Sequence, residues 1–133
     1  YDKTYLNLIE KINDIAGIRI VCTLKDDIFF IRDLVKQMPD IHVLKEKDYV
    51  TNPKESGYSS YHMIVEVPVK LTQKTIYVKC EIQIRTLAMD FWASFEHKVK
   101  YKTKNDVNPK MSKELVSCAK MINKFDTKMI NYK

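Results

Sequence analysis

Hydrophobic and polar positions alternate through a twelve-residue segment, Thr75 to Thr86, and this alternation predicts a β-strand with two chemically different faces. Successive side chains of a strand point to opposite sides of its sheet, so every second residue shares a face. One face carries Ile76, Val78, Cys80, Ile82 and Ile84, and the other carries Tyr77, Lys79, Glu81, Gln83 and Arg85. The apolar face is suited to a buried core. The polar face is either an ordinary solvated surface or the lining of a groove.

Periodicity along the rest of the chain predicts an α+β fold. The order α-β-α-β-β-β-α-α favours a mixed, mostly antiparallel sheet covered by helices on one face. The predicted elements are a short helix at Leu6–Ile12, strands at Gly17–Leu24, Ile41–Val50, Ser59–Leu71 and Thr75–Arg85, and helices from Asp26 or Asp27 to Met38, from Leu87 to about Lys102 and from Pro109 to near Tyr132. We expect residues 1–104 to form the core, with its N-terminal part missing. Residues 105–133 would form a helix that packs on the core or on a neighbouring subunit.

Apolar spacing predicts which helix positions are buried. In the first long helix these are Ile28, Ile31, Leu34 and Val35; in the second they are Phe91, Trp92 and Phe95; and the stripe of the last helix is Met111, Leu115, Cys118, Ile122, Phe125 and Met129. The three cysteines, Cys22, Cys80 and Cys118, are predicted to be reduced core residues of a cytoplasmic protein. The three histidines are too scattered in the sequence to suggest a zinc site.

Composition limits the possible classes of protein. The 133 residues are 45% hydrophobic and 30% charged, which is typical of one globular domain. No apolar run approaches the roughly 20 residues that span a bilayer, and no signal-peptide pattern occurs, so we expect no membrane partner. The chain begins with Tyr1, so we expect a fragment or the loss of an initial segment. The net charge of +6 favours anionic partners such as nucleotides or RNA, although the lysines are spread along the chain.

Arginine is rare in this chain, and its positions are informative. The chain has three arginines against twenty lysines, and two of the arginines, Arg19 and Arg85, lie in predicted strands near an acidic residue. The planar guanidinium binds phosphate through two hydrogen bonds, which an ammonium group does not do, so these positions suggest phosphate binding. With only two glycines the chain has no glycine-rich phosphate loop, so phosphates must be held by basic side chains. The alternative is two internal ion pairs, Asp14 with Arg19 and Glu81 with Arg85.

Five segments, in this order, resemble the synthetase domain of the RelA/SpoT family of alarmone synthetases. They are Asp14-Ile-Ala-Gly-Ile-Arg19, Asp48-Tyr-Val-Thr-Asn-Pro-Lys54, Gly57-Tyr-Ser-Ser-Tyr-His62, Glu81-Ile-Gln-Ile-Arg-Thr86 and Ala88-Met-Asp-Phe-Trp-Ala-Ser-Phe-Glu-His-Lys98. The resemblance extends over roughly residues 7 to 102 and is strongest to the stand-alone small alarmone synthetases. It implies a nucleotidyltransferase-like fold and an enzyme, a GTP pyrophosphokinase that transfers pyrophosphate from ATP to the 3′-hydroxyl of GDP or GTP.

The resemblance also implies residues for the donor and the metal. Asp14 would bind Mg²⁺, and Arg19 would contact the ATP phosphates. Glu81 would be the second metal ligand or the base for the 3′-hydroxyl, and Gln83 and Arg85 would line the groove. The chemistry calls for these residue types, because Mg²⁺ prefers carboxylate oxygens and phosphoryl-type transfer depends on positioning and charge neutralisation.

A second set of residues is implied for the acceptor nucleotide. Lys54 would contact its phosphates, Tyr58 would stack on guanine, His62 would lie nearby, and Asp90 would lie near the base-recognition edge. Stacking alone implies that Tyr58→Ala weakens nucleotide binding by about 1–3 kcal/mol and that Tyr58→Phe is mild. Without the resemblance, Tyr58 reads equally well as a surface aromatic residue and His62 as a half-buried structural histidine.

Two departures from the family pattern leave alternatives open. Ser59 stands where the family has an arginine, which removes a positive charge beside the acceptor pocket, and Tyr1–Asn13 lacks the family's basic ATP-binding segment. One alternative is a related enzyme that modifies tRNA 3′ ends or adenosine nucleotides. Another is a non-catalytic RNA- or nucleotide-binding module. Small synthetases of this family form homo-oligomers, so we also expect self-association through the last helix.

Overall fold

The computed structural model describes residues 16–132, which form four strands and three helices. In chain order these are β1 (Ala16–Cys22), α1 (Lys25–Gln37), β2 (His42–Asp48), β3 (Tyr61–Lys70), β4 (Thr75–Thr86), α2 (Leu87–Lys102) and α3 (Pro109–Met129), followed by a 3₁₀ turn at Ile130–Tyr132. Asp14 and the helix predicted at Leu6–Ile12 lie outside the described residues. Within residues 16–132 no helix is long and apolar enough to cross a membrane.

The long amphipathic strand lies inside the sheet, whose strand order is β1-β4-β3-β2. β3 and β4 form an antiparallel hairpin closed by a short turn, where the Leu71 amide donates to the Lys74 carbonyl at 2.7 Å. β2 pairs antiparallel with β3, and β1 pairs parallel with β4. The prediction of a mixed, mostly antiparallel sheet in an α+β fold is therefore confirmed.

The apolar face of β4 is buried, as its alternation predicts. Ile82 and Ile84 pack with Met63 of β3 and with Ile28 of α1, and each is at most 5% exposed. Burying side chains of this size stabilises a fold by roughly 1.5–3 kcal/mol each. The burial fixes the register of β4, because a shift of one residue would turn its polar face into the core.

The chain turns from β4 directly into α2, and α3 packs across this junction. Thr86 is the N-cap of α2: its Oγ1 accepts from the Met89 amide at 3.1 Å and donates to Asp126 Oδ2 of α3 at 2.7 Å. Trp92 of α2 donates its indole N–H to the carbonyl of Leu115 at 2.8 Å. The junction therefore holds the end of β4 from two directions.

Several predicted core positions are wrong. Phe91, Phe95 and Leu34 are exposed, whereas Trp92 is buried. Only one side of α2 is buried, the side that carries Met89 and Trp92, and Phe91 and Phe95 lie on the opposite side.

The predicted stripe of the last helix is also partly wrong. Met111, Cys118 and Phe125 are exposed, and the buried or half-buried side runs through Leu115, Ala119, Ile122 and Asp126. That side follows the helical spacing i, i+4, i+7, i+11. The sequence pattern hid it because alanine is small and aspartate is charged. The exposed Cys118 is also not the core residue that was predicted.

Candidate active site

The polar face of β4 is shaped by its two neighbouring strands. The parallel register with β1 places Gly17 opposite Glu81 and Arg19 opposite Gln83, and the antiparallel register with β3 places His62 opposite Gln83. A groove of about 320 Å³ opens between β1 and β4 and is lined by Gly17, Ile18, Arg19, Glu81 and Gln83. Gly17 contributes no side chain, so the Glu81 carboxylate borders open space.

Five side chains at this face form a closed circuit of four hydrogen bonds and one histidine–carboxylate contact, which we call the polar ring: Tyr58, His62, Glu81, Gln83 and Arg85. Arg85 Nη2 lies 2.6 Å from Tyr58 Oη and 2.9 Å from Gln83 Oε1. Gln83 Nε2 lies 3.1 Å from Glu81 Oε1, and His62 Nδ1 lies 3.4 Å from the same oxygen. Tyr58 Oη and His62 Nε2, 2.9 Å apart, complete the ring.

His62 is suited to remain neutral in this setting. Burial lowers the pKa of His62, and the Glu81 carboxylate opposes that shift only in part, while the positive charges of Arg85 and Lys54 add to it. A neutral imidazole has one donor and one acceptor nitrogen, and both nitrogens of His62 have partners in the polar ring.

Asp90 connects the two arginines. Its Oδ1 lies 3.2 Å from Arg85 Nη1 and 3.3 Å from Arg19 Nη1. The arginines differ in exposure: the side chain of Arg85 is 6% exposed and that of Arg19 is 54% exposed. Arg85 is therefore a structural part of the site, whereas Arg19 can reach a ligand in the groove. The direct Glu81–Arg85 ion pair considered from the sequence does not form, because Gln83 stands between the two residues.

An aromatic cluster adjoins the polar ring. Tyr49, Tyr58 and His62 contact one another edge to face, with ring centroids 5.4–6.3 Å apart. The ammonium of Lys54 lies 4.9 Å from the ring centroid of Tyr49 and 5.2 Å from that of Tyr58. The cluster thus combines flat π-faces with a cation, as expected for a site that binds a base and its phosphates.

The loop that carries Lys54 is held by Asp48 at the end of β2. The Asp48 carboxylate accepts from the amides of Val50 and Thr51 at 2.9 Å and from the Thr51 hydroxyl at 2.7 Å. Burial works against ionisation of Asp48, but these hydrogen bonds outweigh it and lower its pKa. At the other end of the loop Gly57 adopts φ +98°, and a Cβ there would lie 2.6 Å from the Cβ of Ala119. Close packing of α3 therefore fixes the loop that precedes Tyr58.

A second opening of about 430 Å³ lies between the sheet and α2. Besides Tyr58 and both arginines it is lined by Ala93, Ser94, Glu96, His97 and Lys100. It extends from Arg19 along one side of α2. Among residues 16–132 no group of three or more histidine, cysteine or acidic side chains is arranged to hold a metal ion. Glu81 is a suitable oxygen ligand for Mg²⁺, and its proposed partner Asp14 lies outside the described residues.

Comparison with known proteins identifies the family. Residues 2–106 match the sequence model for the region found in RelA and SpoT proteins. The chain belongs to the RelA/SpoT family. It is 49% identical over 124 residues to GTP pyrophosphokinase YwaC from Bacillus subtilis, covering 93% of this chain and 59% of that protein. The chain therefore spans about three fifths of the length of this curated relative.

Solved structures of RelA/SpoT-family proteins have the same fold. Small alarmone synthetase 2 from Bacillus subtilis matches with a TM-score of 0.89 and 44% identity, over 99% of this chain and 75% of that one. Small alarmone synthetase 1 from the same organism, solved with its product pppGpp, matches with a TM-score of 0.87 and 38% identity, over 96% of this chain and 66% of that one. The latter protein bound to AMPCPP matches with a TM-score of 0.77 and 32% identity, over 96% and 63%. The resemblance and the nucleotidyltransferase-like fold predicted from the sequence are confirmed.

The RelA/SpoT domain brings its described candidate residues into one connected set. The contacts run from Arg19 through Asp90 to Arg85, around the polar ring, and from Tyr58 to Lys54. Their roles in binding and catalysis stay predictions.

The structure also places Tyr49, Ser94 and His97 at the site, three residues for which no role was predicted. Tyr49 lies within a segment that carries the resemblance, and Ser94 and His97 share a helix face with Asp90, so a signal was present for each of them. Ser59 instead lines a cavity beside α3 with Gly57, Ala119 and Asn123.

Proposed function

We propose that this chain is the catalytic part of a (p)ppGpp synthetase of the stringent response. It would transfer pyrophosphate from ATP to the 3′-hydroxyl of GDP or GTP. The observation that carries the proposal is that the groove lined by the Glu81 carboxylate and the exposed Arg19 is connected through the polar ring to Tyr58, over which the Lys54 ammonium lies. The match to a GTP pyrophosphokinase and to a synthetase solved with pppGpp supports it.

On the donor side, Arg19 would hold the phosphates of ATP. Its guanidinium is half exposed and has one carboxylate partner among the described residues, Asp90, so it can turn to a phosphate that offers two oxygens. Glu81, together with Asp14, would hold Mg²⁺, which supplies charge neutralisation on the phosphates. Gly17 leaves the room for a polyphosphate to lie close to Glu81.

On the acceptor side, the aromatic cluster would hold the guanine nucleotide. A base stacked on Tyr58 gains roughly 1–3 kcal/mol, and Lys54 lies close enough to meet the attached phosphates. This arrangement brings the ribose of the acceptor toward Glu81, since Tyr58 and Glu81 belong to the same polar ring.

The chemical step would join the two substrates in this groove. The 3′-oxygen of the acceptor forms a bond to the β-phosphorus of ATP, and the bond from that phosphorus to the α–β bridging oxygen breaks, so that AMP leaves. The hydroxyl proton passes to the Glu81 carboxylate. Catalysis would come mainly from positioning and from neutralisation of phosphate charge by Arg19 and the metal.

The decisive experiment offers several acceptors in parallel. The protein expressed from its full gene is incubated with β-labelled ATP and Mg²⁺, and with GDP, GTP, ADP or tRNA. We expect label in a 3′-pyrophosphorylated guanine nucleotide, and no product with EDTA. Label only in tRNA or in an adenosine nucleotide would replace this function with that of a related pyrophosphokinase. Nucleotide binding without transfer to any acceptor would indicate a non-catalytic nucleotide-binding module.

We also propose that the protein self-associates in the cytoplasm. Met121 and Phe125 are exposed large apolar side chains on α3, and Leu115 and Ile122 are turned toward the chain's own core. Phe125→Glu should therefore yield a smaller particle in light scattering while the fold is retained. Lys124→Glu is the neighbouring control. An unchanged mass for Phe125→Glu would argue against α3 as the contact.

A further inference from the structure

We propose that Tyr58 and His62 are positioning residues for Glu81, and that they turn Oε2 of its carboxylate toward the groove as the atom that contacts the metal or the 3′-hydroxyl. The proposal rests on the synthetase function proposed above and deepens it. It follows from the direction of each hydrogen bond in the polar ring, which the chemistry of the groups determines.

The direction is set at Arg85, because a guanidinium has donors and no acceptor. Nη2 of Arg85 therefore donates to Tyr58 Oη and to Gln83 Oε1. Tyr58 Oη also shares a hydrogen bond with Nε2 of His62, whose direction depends on which imidazole nitrogen carries the proton.

The carboxylate assigns the imidazole proton. Nδ1 of His62 lies 3.4 Å from Glu81 Oε1, and a carboxylate oxygen only accepts, so the proton of the neutral ring is on Nδ1 and Nε2 accepts from the Tyr58 hydroxyl. On the other side of the ring, the amide group of Gln83 accepts from Arg85 through its oxygen and donates to Glu81 Oε1 through its nitrogen. Two series of contacts, one through Tyr58 and His62 and one through Gln83, therefore connect the Arg85 guanidinium with Oε1 of Glu81.

The convergence distinguishes the two oxygens of Glu81. Oε1 accepts from Gln83 Nε2 and faces His62 Nδ1 at 3.4 Å, and among residues 16–132 no hydrogen bond of this carboxylate involves Oε2. The side chain is 25% exposed, so it is accessible from the groove. Oε1 holds the carboxylate in place and Oε2 is available to a ligand.

The inference changes the expected behaviour of Tyr58. A purely stacking role made Tyr58→Phe mild, but here the hydroxyl links Arg85 to His62. Its loss leaves Nε2 of His62 without a donor and removes the preference for one tautomer. Tyr49 provides the matched control. It touches the same rings, and among the described residues its hydroxyl has no hydrogen bond with Tyr58 or His62.

The first test observes the imidazole directly. Long-range ¹H–¹⁵N NMR at about pH 8, above the usual histidine pKa, reports which ring nitrogen carries the proton. We expect His62 of the full chain to be a single Nδ1–H tautomer, with the exposed His97 as a solvent-averaged reference. Tyr58→Phe should give a mixture at His62, and Tyr49→Phe should not. An Nε2–H tautomer or a mixture in the unmodified protein would overturn the proposal.

The second test separates positioning from binding. Tyr58→Phe should lower kcat by about 10- to 100-fold, as is usual when an outer partner of a ligand is lost, with little change in KM for the acceptor and in Tm. His62→Asn, which offers an amide donor, should recover more activity than His62→Ala. An unchanged kcat in Tyr58→Phe would refute the positioning role. If the unmodified protein transfers pyrophosphate to no acceptor, the proposed function fails, and the NMR result still decides whether the ring has the inferred direction.

Discussion

The side chains on the two sides of the groove differ in how many partners hold them in place. On the β3–β4 side, every member of the polar ring has at least two polar partners, and Arg85 is almost fully buried. On the β1 side, Gly17 has no side chain and Arg19 is half exposed with a single carboxylate partner among the described residues. Both sides are built on adjacent strands, so the difference is not one of secondary structure.

The contrast suggests a division of work. Side chains held from several directions keep one geometry, which is what positioning a reacting group requires. An exposed arginine beside an open space keeps several geometries, which suits the capture of a flexible polyphosphate. We expect substitutions in the polar ring to affect turnover or stability, and substitutions on β1 to affect binding.

The most severe test of this contrast is Glu81→Gln. The amide keeps the shape of the side chain but loses the negative charge, so it can neither take up a proton nor hold Mg²⁺ well. Transfer should fall by at least about 100-fold with an unchanged fold, because the apolar face of β4 is untouched. Turnover of labelled ATP and far-ultraviolet circular dichroism check the two parts. Glu66→Gln, on β3 away from the groove, should retain activity, and near-normal turnover in Glu81→Gln would remove Glu81 from the mechanism.

Exchanging each arginine for lysine compares the two sides directly. In Arg85→Lys one ammonium nitrogen must replace two guanidinium nitrogens, which now divide Tyr58, Gln83 and Asp90 between them, so the unfolding free energy should fall by about 1–3 kcal/mol. Arg19→Lys should leave stability within about 0.5 kcal/mol and raise KM for ATP. Urea titration and initial rates measure these effects. Equal destabilisation by both exchanges would contradict the proposed division.

The two glycines offer a gentler comparison. Within the described residues a Cβ at Gly17 meets nothing within 4 Å, so Gly17→Ala should be as stable as the natural protein or more stable by up to about 1 kcal/mol. The added methyl would enter the groove and weaken ATP binding. Gly57→Ala should instead lose stability, since its Cβ would meet Ala119 at a residue with positive φ. If Gly17→Ala binds ATP normally, ligands do not approach this part of β1.

The smallest expected effect concerns Asp126 of α3, which accepts a hydrogen bond from Thr86 at the end of β4. Burial raises the pKa of Asp126 above its usual value, while the Thr86 hydrogen bond and Lys25 act in the opposite direction. The folded state therefore favours the protonated form, and this contribution to stability is lost as pH rises from the unfolded pKa through the folded one. Asp126→Asn keeps an acceptor for Thr86 and does not titrate. The stability of Asp126→Asn relative to the natural protein should rise with pH over that window in thermal melts, and a constant difference would contradict the shift.

Much of the fold followed from the sequence because strand alternation is a local property. β4 was predicted from its two faces, and all five described strands and helices before α2 lie within a few residues of their predicted positions. The side of α3 that packs was not predicted, because Ala119 and Asp126 face the core only through contacts with Gly57 and Thr86 that are distant in sequence. Residue types alone do not disclose such pairings.

The candidate site was predicted in its members but not in its connections. Residue types and the family resemblance predicted Tyr58, His62, Glu81 and Arg85, but the direct Glu81–Arg85 pair considered as an alternative does not form. The actual partners depend on Gln83, which lies between them along the same face of β4 and bonds to both. Tyr49 was missed because its place in the aromatic cluster depends on how the loop after β2 folds back beside β3.

The parallel pairing of β1 with β4 has a consequence for the order of folding. β3 and β4 meet through a short hairpin turn, whereas Ala16 pairs with Cys80, far along the chain, and closing that long loop costs entropy before any contact repays it. We expect β1 to join last and to detach first, so that native-state amide exchange is fastest there among the four strands. A folding chain would then form the polar ring before Arg19 joins the groove, and under the proposed function it would not bind ATP until β1 is in place.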